Sequence, residues 1–299
     1  MSLKIKYLLE HLGISQTYLA VNKPEDVEEL CKEFPDMVAG IAFVAAFGFK
    51  PAFFTALGER AMFLQSEFGK TNDSAKAAKT IIKGLKIREI PDYEALPWSN
   101  ICADRKSDLC NHIVSFFSEE VPSIPDANIV PTDGEFNNIS YSIAGAGPPL
   151  VLGPLGLASD QWDPIVDQLK NSFTLIIVTG ADLGSVQTLE HRAELPGYRA
   201  MLNILAEHMK ITEIENLVEV GCGTGAICRQ FLERHPKLTI VGTDINRYVL
   251  KEGTTIASKQ NITVGESTQW GIDKPIAVSY THLRAHETVL DLVCRLLLE

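Results

Sequence analysis

Leu217-Val-Glu-Val-Gly-Cys-Gly-Thr-Gly225, followed by Ile240-Val-Gly-Thr-Asp-Ile-Asn246, is the stretch on which the reading of this chain turns. An apolar run ends in Glu219 and three closely spaced glycines, and a second apolar run ends in Asp244. The pattern predicts strand, tight glycine turn, helix, strand and carboxylate, in that order. Glycines at 221, 223 and 225 tolerate unusual dihedrals and remove the Cβ that would hold a ligand off the backbone. In open α/β sheets ligands sit at the carboxyl ends of the strands, and an acid there accepts hydrogen bonds from a ribose.

Working outward, Val218–Val220 reads as a buried parallel strand. Ala226–His235 reads as a helix with Ile227, Phe231 and Leu232 facing the sheet, and Leu238–Gly242 reads as the second strand. A long helix, Tyr198–Met209, leads in. Asp244 follows Gly221 by 23 positions, the spacing at which a carboxylate meets ribose hydroxyls.

From about Tyr198 to Trp270 the chain resembles the class I S-adenosylmethionine-dependent methyltransferases, most strongly in VEVGCGTG and GTDIN. The resemblance implies S-adenosyl-L-methionine as cofactor. It implies Glu219 near the methionine amino group, with Gly221, Cys222, Gly223 and Gly225 passing the adenosine and methionine portions. It further implies Asp244 on both ribose hydroxyls, Ile245 against the adenine, and Glu266, with Ser267 beside it, towards the adenine amine. Gly221-x-Gly223-x-x-Ala226 also satisfies a dinucleotide fingerprint, so an NAD(P)-binding Rossmann protein is an alternative. Glu219 weighs against it, because a carboxylate there opposes a pyrophosphate and suits a cationic ammonium. For Asp244 the competing role is a helix N-cap, and for Glu266 a solvated loop acid. Cys222 and Cys228 read as small packing residues rather than ligands or nucleophiles. His191, Arg192, Tyr198 and Arg199 are candidates for the acceptor side, against a plain solvated helix start. The expected partner is a small-molecule methyl acceptor.

Composition fits this picture. The 299 residues are 45% hydrophobic and 22% charged, which suits one large or two ordinary packed domains. A formal charge of −11 argues against a nucleic-acid surface, which needs clustered Lys and Arg. No run reaches about 18 uninterrupted apolar residues, so no membrane span is expected. The N-terminus carries Glu10 and His11 where a signal peptide needs an apolar stretch. Six scattered cysteines without metal-ligand spacing read as reduced thiols of a cytoplasmic protein, and no metal site is expected.

Residues 1–118 alternate helical and strand patterns. Helices are expected near Leu3–Leu12, Pro24–Phe34, Asp73–Leu85 and Lys106–Phe117. Strands are expected at Thr17–Val21, Val38–Ala45, Ala52–Leu57 and Lys86–Ile90. This block resembles the back half of an α/β-hydrolase without its chemistry. Where the nucleophile elbow needs G-x-S-x-G the chain has Val21-Asn-Lys-Pro-Glu25. The histidine position falls at Glu94 or Ala95, and the acid is ambiguous between Glu59 and a missing residue. Residues 119–136, with Pro122, Pro125, Pro131 and Gly134, read as a linker. Residues 137–190, with strands near Ile139–Ile143, Leu150–Leu152 and Phe173–Val178, resemble the opening strands of a hydrolase. They either extend the methyltransferase sheet or complete a permuted hydrolase-like sheet with residues 1–118. Residues 191–276 are then a truncated methyltransferase half. The tail, Val278–Thr288 (VSYTHLRAHET) and Leu292–Glu299 (LVCRLLLE), reads as translated sequencing-adapter DNA, with Val289 and Leu290 as an index barcode. Native sequence is expected to stop near Ile276, and residues 277–299, with His282, His286 and Cys294, are not read as functional.

The fold expected is α/β: parallel sheets flanked by helices, an incomplete Rossmann-like methyltransferase half plus a hydrolase-like α/β segment. The function expected is an S-adenosylmethionine-binding methyltransferase, inactive in this truncated form. The alternative from another class is a non-catalytic interaction protein built from degenerate modules. Methyl acceptor and oligomeric state are not legible.

Overall fold

A computed structural model describes residues 3–46, 50–94, 101–156, 159–180, 183–244, 247–259 and 268–269. The chain divides into two compact units, Met1–Thr188 and Leu189–Glu299.

The first unit is built from α1 (Lys4–His11), β1 (Thr17–Val21), α2 (Glu28–Glu33), β2 (Val38–Val44), β3 (Ala61–Phe68), α3 (Lys70–Ile81) and β4 (Lys86–Glu94). It continues through α4 (Ile101–Asp104), α5 (Lys106–Ser115), β5 (Asp133–Phe136), β6 (Ile139–Ala144), β7 (Pro149–Leu152), α6 (Asp163–Leu169), β8 (Thr174–Thr179) and the start of α7 (Gly184–Glu194). Eight strands form one sheet in the order β4-β3-β2-β1-β7-β8-β6-β5. The run from β4 to β8 is parallel, whereas β6 runs antiparallel to both β8 and β5.

All residues of β1 and β2 are buried, as expected of parallel strands covered on both faces. The alternation of side chains sorts them between two cores. Leu19, Ile41 and Phe43 pack with Leu8 of α1, Leu30 of α2 and Ala78 of α3. Tyr18, Ala42 and Leu64 pack on the other face with Leu109 of α5 and Ile165 of α6. The β5–β6 hairpin closes on Asn137 and Asn138, whose φ values of 50° and 64° give the tight two-residue turn that suits the twist of the flanking strands.

Residues 1–118 and 137–190 meet at the centre of this sheet. Tyr18, Leu19 and Ala20 of β1 pair with Leu150, Val151 and Leu152 of β7, and the Thr17 hydroxyl donates to the Pro149 carbonyl at 3.0 Å. Of the two arrangements open to residues 137–190, they therefore take the one beside residues 1–118. The stretch read as a linker, 119–136, includes β5, and a π-helical turn over Phe116–Glu120 extends α5 into it. Between them the chain is held to the unit, with Tyr18 Oη donating to Pro122 O at 3.0 Å and Ala127 N to Gly147 O at 2.9 Å. Prolines made this stretch look like a separator; here they punctuate a connection fixed to the unit.

Another strand also differs from expectation. Ala52–Leu57 is not a strand: Pro51–Phe54 is a 3₁₀ turn, and the strand is Ala61–Phe68, whose first six residues are buried. Pro51 presets the helical φ at the start of that turn.

The second unit continues α7 and contains α8 (Pro196–His208), β9 (Asn216–Val220), α9 (Ala226–Arg234), β10 (Thr239–Asp244), α10 (Arg247–Lys259) and β11 (Thr268–Gln269). Its described strands are parallel, in the order β11-β10-β9. Leu202, Phe231 and Leu238 form a small core against which Leu217, Ile227 and Ile240 pack. Leu232, expected on the same face, is half-buried and outside that cluster. β9 is not the fully buried strand expected. Val218 and its cross-strand partner Val241 are 40% and 39% exposed, because the helices packed on this sheet engage the face carrying Leu217 and Ile240. The molecule is thus α/β, with largely parallel sheets flanked by helices. Among the described residues no helix is long and apolar enough to cross a membrane.

Candidate functional site

The glycine turn lies at the carboxyl ends of β9 and β10. Gly221, Gly223 and Gly225 have φ values of 72°, 57° and 72°, the left-handed region in which a Cβ is strained. Gly221 N and Cys222 N both donate to Thr243 O, at 2.7 and 3.0 Å, so the turn folds back onto the last residues of β10. Gly223 N donates to Asp244 Oδ2 at 2.8 Å. Asp244 is therefore joined to the glycine turn by a direct charge-assisted hydrogen bond.

Glu219 points to the face covered by α9. Its Oε2 accepts a hydrogen bond from Cys228 Sγ at 2.7 Å. Burial pushes the Glu219 carboxyl up to about 7, with the Asp244 charge adding to the rise and Cys228 and Arg229 opposing it. Gly242 stands opposite Glu219 in the strand register, and a Cβ there would lie 2.9 Å from Cys222 Sγ and 3.4 Å from Cys228 Sγ. The missing side chain is what makes room for both sulfurs. Burial, reinforced by the neighbouring carboxylates, pushes the Cys222 thiol up to about 12 and raises that of Cys228 further. Thiols held protonated in this way are poor nucleophiles. Among the described residues no group of three or more His, Cys, Asp and Glu is arranged to hold a metal.

Two further elements enclose the turn. Gly253 of α10 passes so close that a Cβ would lie 2.3 Å from Thr224 O. From α7, Glu190 Oε1 accepts from Thr224 Oγ1 at 2.5 Å and Glu190 Oε2 accepts from Arg229 Nη2 at 2.5 Å. Thr224, Gly242, Gly253, Arg229 and Glu190 did not stand out as site residues. Gly253 had a signal, since a glycine inside a helix costs about 1 kcal/mol relative to alanine and asks for a packing reason. Glu190 had none, because nothing local ties it to a turn more than thirty residues away.

Of the expected site residues, Glu219, Gly221, Cys222, Gly223, Gly225 and Asp244 are brought together here. Ile245, Glu266 and Ser267 lie outside the described residues. On the approach helices, Arg192 stacks over the Tyr198 ring at 5.4 Å, Arg199 pairs with Glu194, and His191 is exposed.

In the first unit, the residues set against the hydrolase motif in the sequence make backbone and packing contacts. Asn22, at the elbow, is buried: Nδ2 donates to Val44 O and Ala45 O, both at 2.9 Å, and Oδ1 accepts from Gly156 N at 3.0 Å. Glu94 lies against Gly69 and Glu59 against Gly84, while Ala95 lies outside the described residues.

No family model matches the chain, and no curated protein matches it. Two solved structures of phosphoethanolamine N-methyltransferase 2 from Haemonchus contortus align with it. One is in complex with phosphomonomethylethanolamine and S-adenosylhomocysteine, the other with S-adenosyl-L-methionine. The alignments cover 87% of this chain and 61% of theirs, at 14% and 15% identity and a TM-score of 0.20. That score is too low to relate the folds, and the α/β assignment rests on the strand pairings described above.

Proposed function

We propose that the second unit is the S-adenosylmethionine-binding part of a methyltransferase that acts on a small molecule. The observation that carries this reading is the junction of the left-handed glycine turn with Asp244 at the ends of two adjacent parallel strands. The turn presents backbone free of Cβ atoms, and the acid beside it suits a ribose diol. Two carboxylates, Glu219 and Asp244, flank the turn. A cationic methionine end beside them would favour their ionised forms, which a pyrophosphate would not, so the acids suit that cofactor over a dinucleotide. S-adenosylmethionine, when bound, supplies an electrophilic methyl group on a sulfonium. The chain's own task is to hold that cofactor and align it with an acceptor, and proximity and orientation carry much of the rate in such transfers.

The first unit, in this reading, is a permuted hydrolase-like sheet whose catalytic positions have become structural. Taken as β5 to β8 and then β1 to β4, its strands follow the order that the two hydrolase-like segments would have if the second preceded the first. Asn22 supports a scaffold role, since its amide, next to the position a nucleophile would take, is spent on three backbone groups.

The test is calorimetric titration of the full chain with S-adenosylhomocysteine, and with NADH as the rival. Binding of the former is expected, and Asp244→Ala and Gly223→Val should each weaken it at least tenfold, about 1.4 kcal/mol. Preference for NADH, or binding unchanged by both substitutions, would overturn the reading.

A further inference from the structure

Three buried or half-buried groups form a closed circuit around Thr224, within the glycine turn. Arg229 is 6% exposed; its Nη1 donates to Thr224 O at 2.6 Å and its Nη2 to Glu190 Oε2 at 2.5 Å. The other oxygen of Glu190 accepts the Thr224 hydroxyl at 2.5 Å. One carboxylate and one guanidinium thus grip both the side chain and the carbonyl of Thr224, the residue between Gly223 and Gly225. Leu189, the neighbour of Glu190, is the nearest side chain to the Cβ position of Gly223, at 3.4 Å. One residue further along α9, Gln230 Nε2 donates to Ala193 O at 2.6 Å, so α7 is tied to α9 at two successive turns.

A turn of three left-handed glycines has little conformational preference of its own. Unrestrained, it would sample many shapes, and a ligand would bear the cost of ordering it. An enclosed ion pair is a poor device for stability, since apolar side chains of similar volume do as well or better; its distinct contribution is to hold one geometry. We propose that Glu190, acting with Arg229 through Thr224, is a positioning residue that preorganises the glycine turn for its cofactor. The ligand half of this inference rests on the S-adenosylmethionine reading above. The positioning half concerns the turn itself.

The experiment separates the two halves. Hydrogen–deuterium exchange of the full chain without ligand reports the amides of residues 221–225, and calorimetry reports S-adenosylhomocysteine affinity. Glu190→Ala is expected to raise exchange in the turn at least tenfold and to weaken binding about tenfold. Glu190→Gln, which can still bond Thr224 and Arg229, should stay within threefold of the parent in both. The double variant Glu190→Leu with Arg229→Met should melt within a few degrees of the parent yet exchange and bind like Glu190→Ala. A double variant whose turn exchanges like the parent's would overturn the proposal, because packing alone would then suffice. Should the parent fail to bind S-adenosylhomocysteine, the cofactor reading falls, and the exchange data still decide whether Glu190 positions the turn.

Discussion

Asn22 illustrates how much one side chain can hold. Its amide joins the carboxyl ends of three neighbouring strands: β1, which it follows directly, β2 through Val44 and Ala45, and β7 through Gly156. Ala45 has a φ of 48°, so the carbonyl that Asn22 grips belongs to a residue already turned into the left-handed region. Removing the amide leaves two carbonyls and one N–H buried without their partner. Each such group costs about 1–3 kcal/mol. Asn22→Ala is therefore expected to lower the melting temperature of the first unit by at least roughly 6 °C, given about 2–4 °C per kcal/mol for a unit of this size. Asn22→Asp should be no milder, since a carboxylate cannot donate to Val44 and Ala45. Differential scanning calorimetry of the full chain checks both, and an unchanged first-unit transition would show that water replaces the amide.

At the scale of elements, α10 shows propensity yielding to packing. Gly253 lies inside a 13-residue helix, where alanine would be preferred by about 1 kcal/mol. The helix carries glycine there because Thr224 O occupies the space a Cβ would need. Gly253→Ala is thus expected to destabilise the second unit by about 1–3 kcal/mol despite its better intrinsic propensity, and to weaken S-adenosylhomocysteine binding by shifting the turn. Thermal melts and titration measure the two effects; a stabilised variant would mean that α10 moves off the turn without loss. The same balance explains which elements were legible in the sequence. β1 and β2 stood out because unbroken apolar runs have few readings inside an α/β pattern. β3 was missed because Ala52–Leu57 is just as apolar, and what separates them is Pro51 together with the pairing of Ala61–Leu64 on Ile41–Val44. Pairing is a property of two segments and leaves no mark on one.

Across the whole molecule, each unit buries an acid whose ionised state is strongly disfavoured. Burial pushes Asp26, whose carboxylate accepts from Gly184 N, up to about 7 in the first unit, and Glu219 up to about 7 in the second. Both values lie above the ordinary carboxylate range. The folded state then binds more protons than the unfolded chain between about pH 4 and 7, and stability falls as pH rises through that window. Well above pH 7 the loss is complete, on the order of 3–4 kcal/mol for each group. Asp26→Asn and Glu219→Gln keep the acceptor oxygen and remove the charge. Each is expected to match the parent near pH 4 and to be more stable than it at pH 8, in its own unit's transition. Calorimetry over pH 4–8 reads this directly, and a constant difference across the range would mean that neither acid is protonated near neutrality.

What the sequence determined by itself was local and chemical. The glycines at 221, 223 and 225, the acids at 219 and 244 and the strand-turn-helix-strand order follow from residue types a few positions apart, since backbone conformation and hydrophobic period are short-range properties. Only the tertiary structure decided that β7 lies beside β1, that the proline-rich stretch joins the two parts of one sheet, and that Glu190 and Gly253 reach Thr224. Those outcomes depend on which distant surfaces bury each other and which polar groups find partners when they do, and that is settled by the packed chain as a whole.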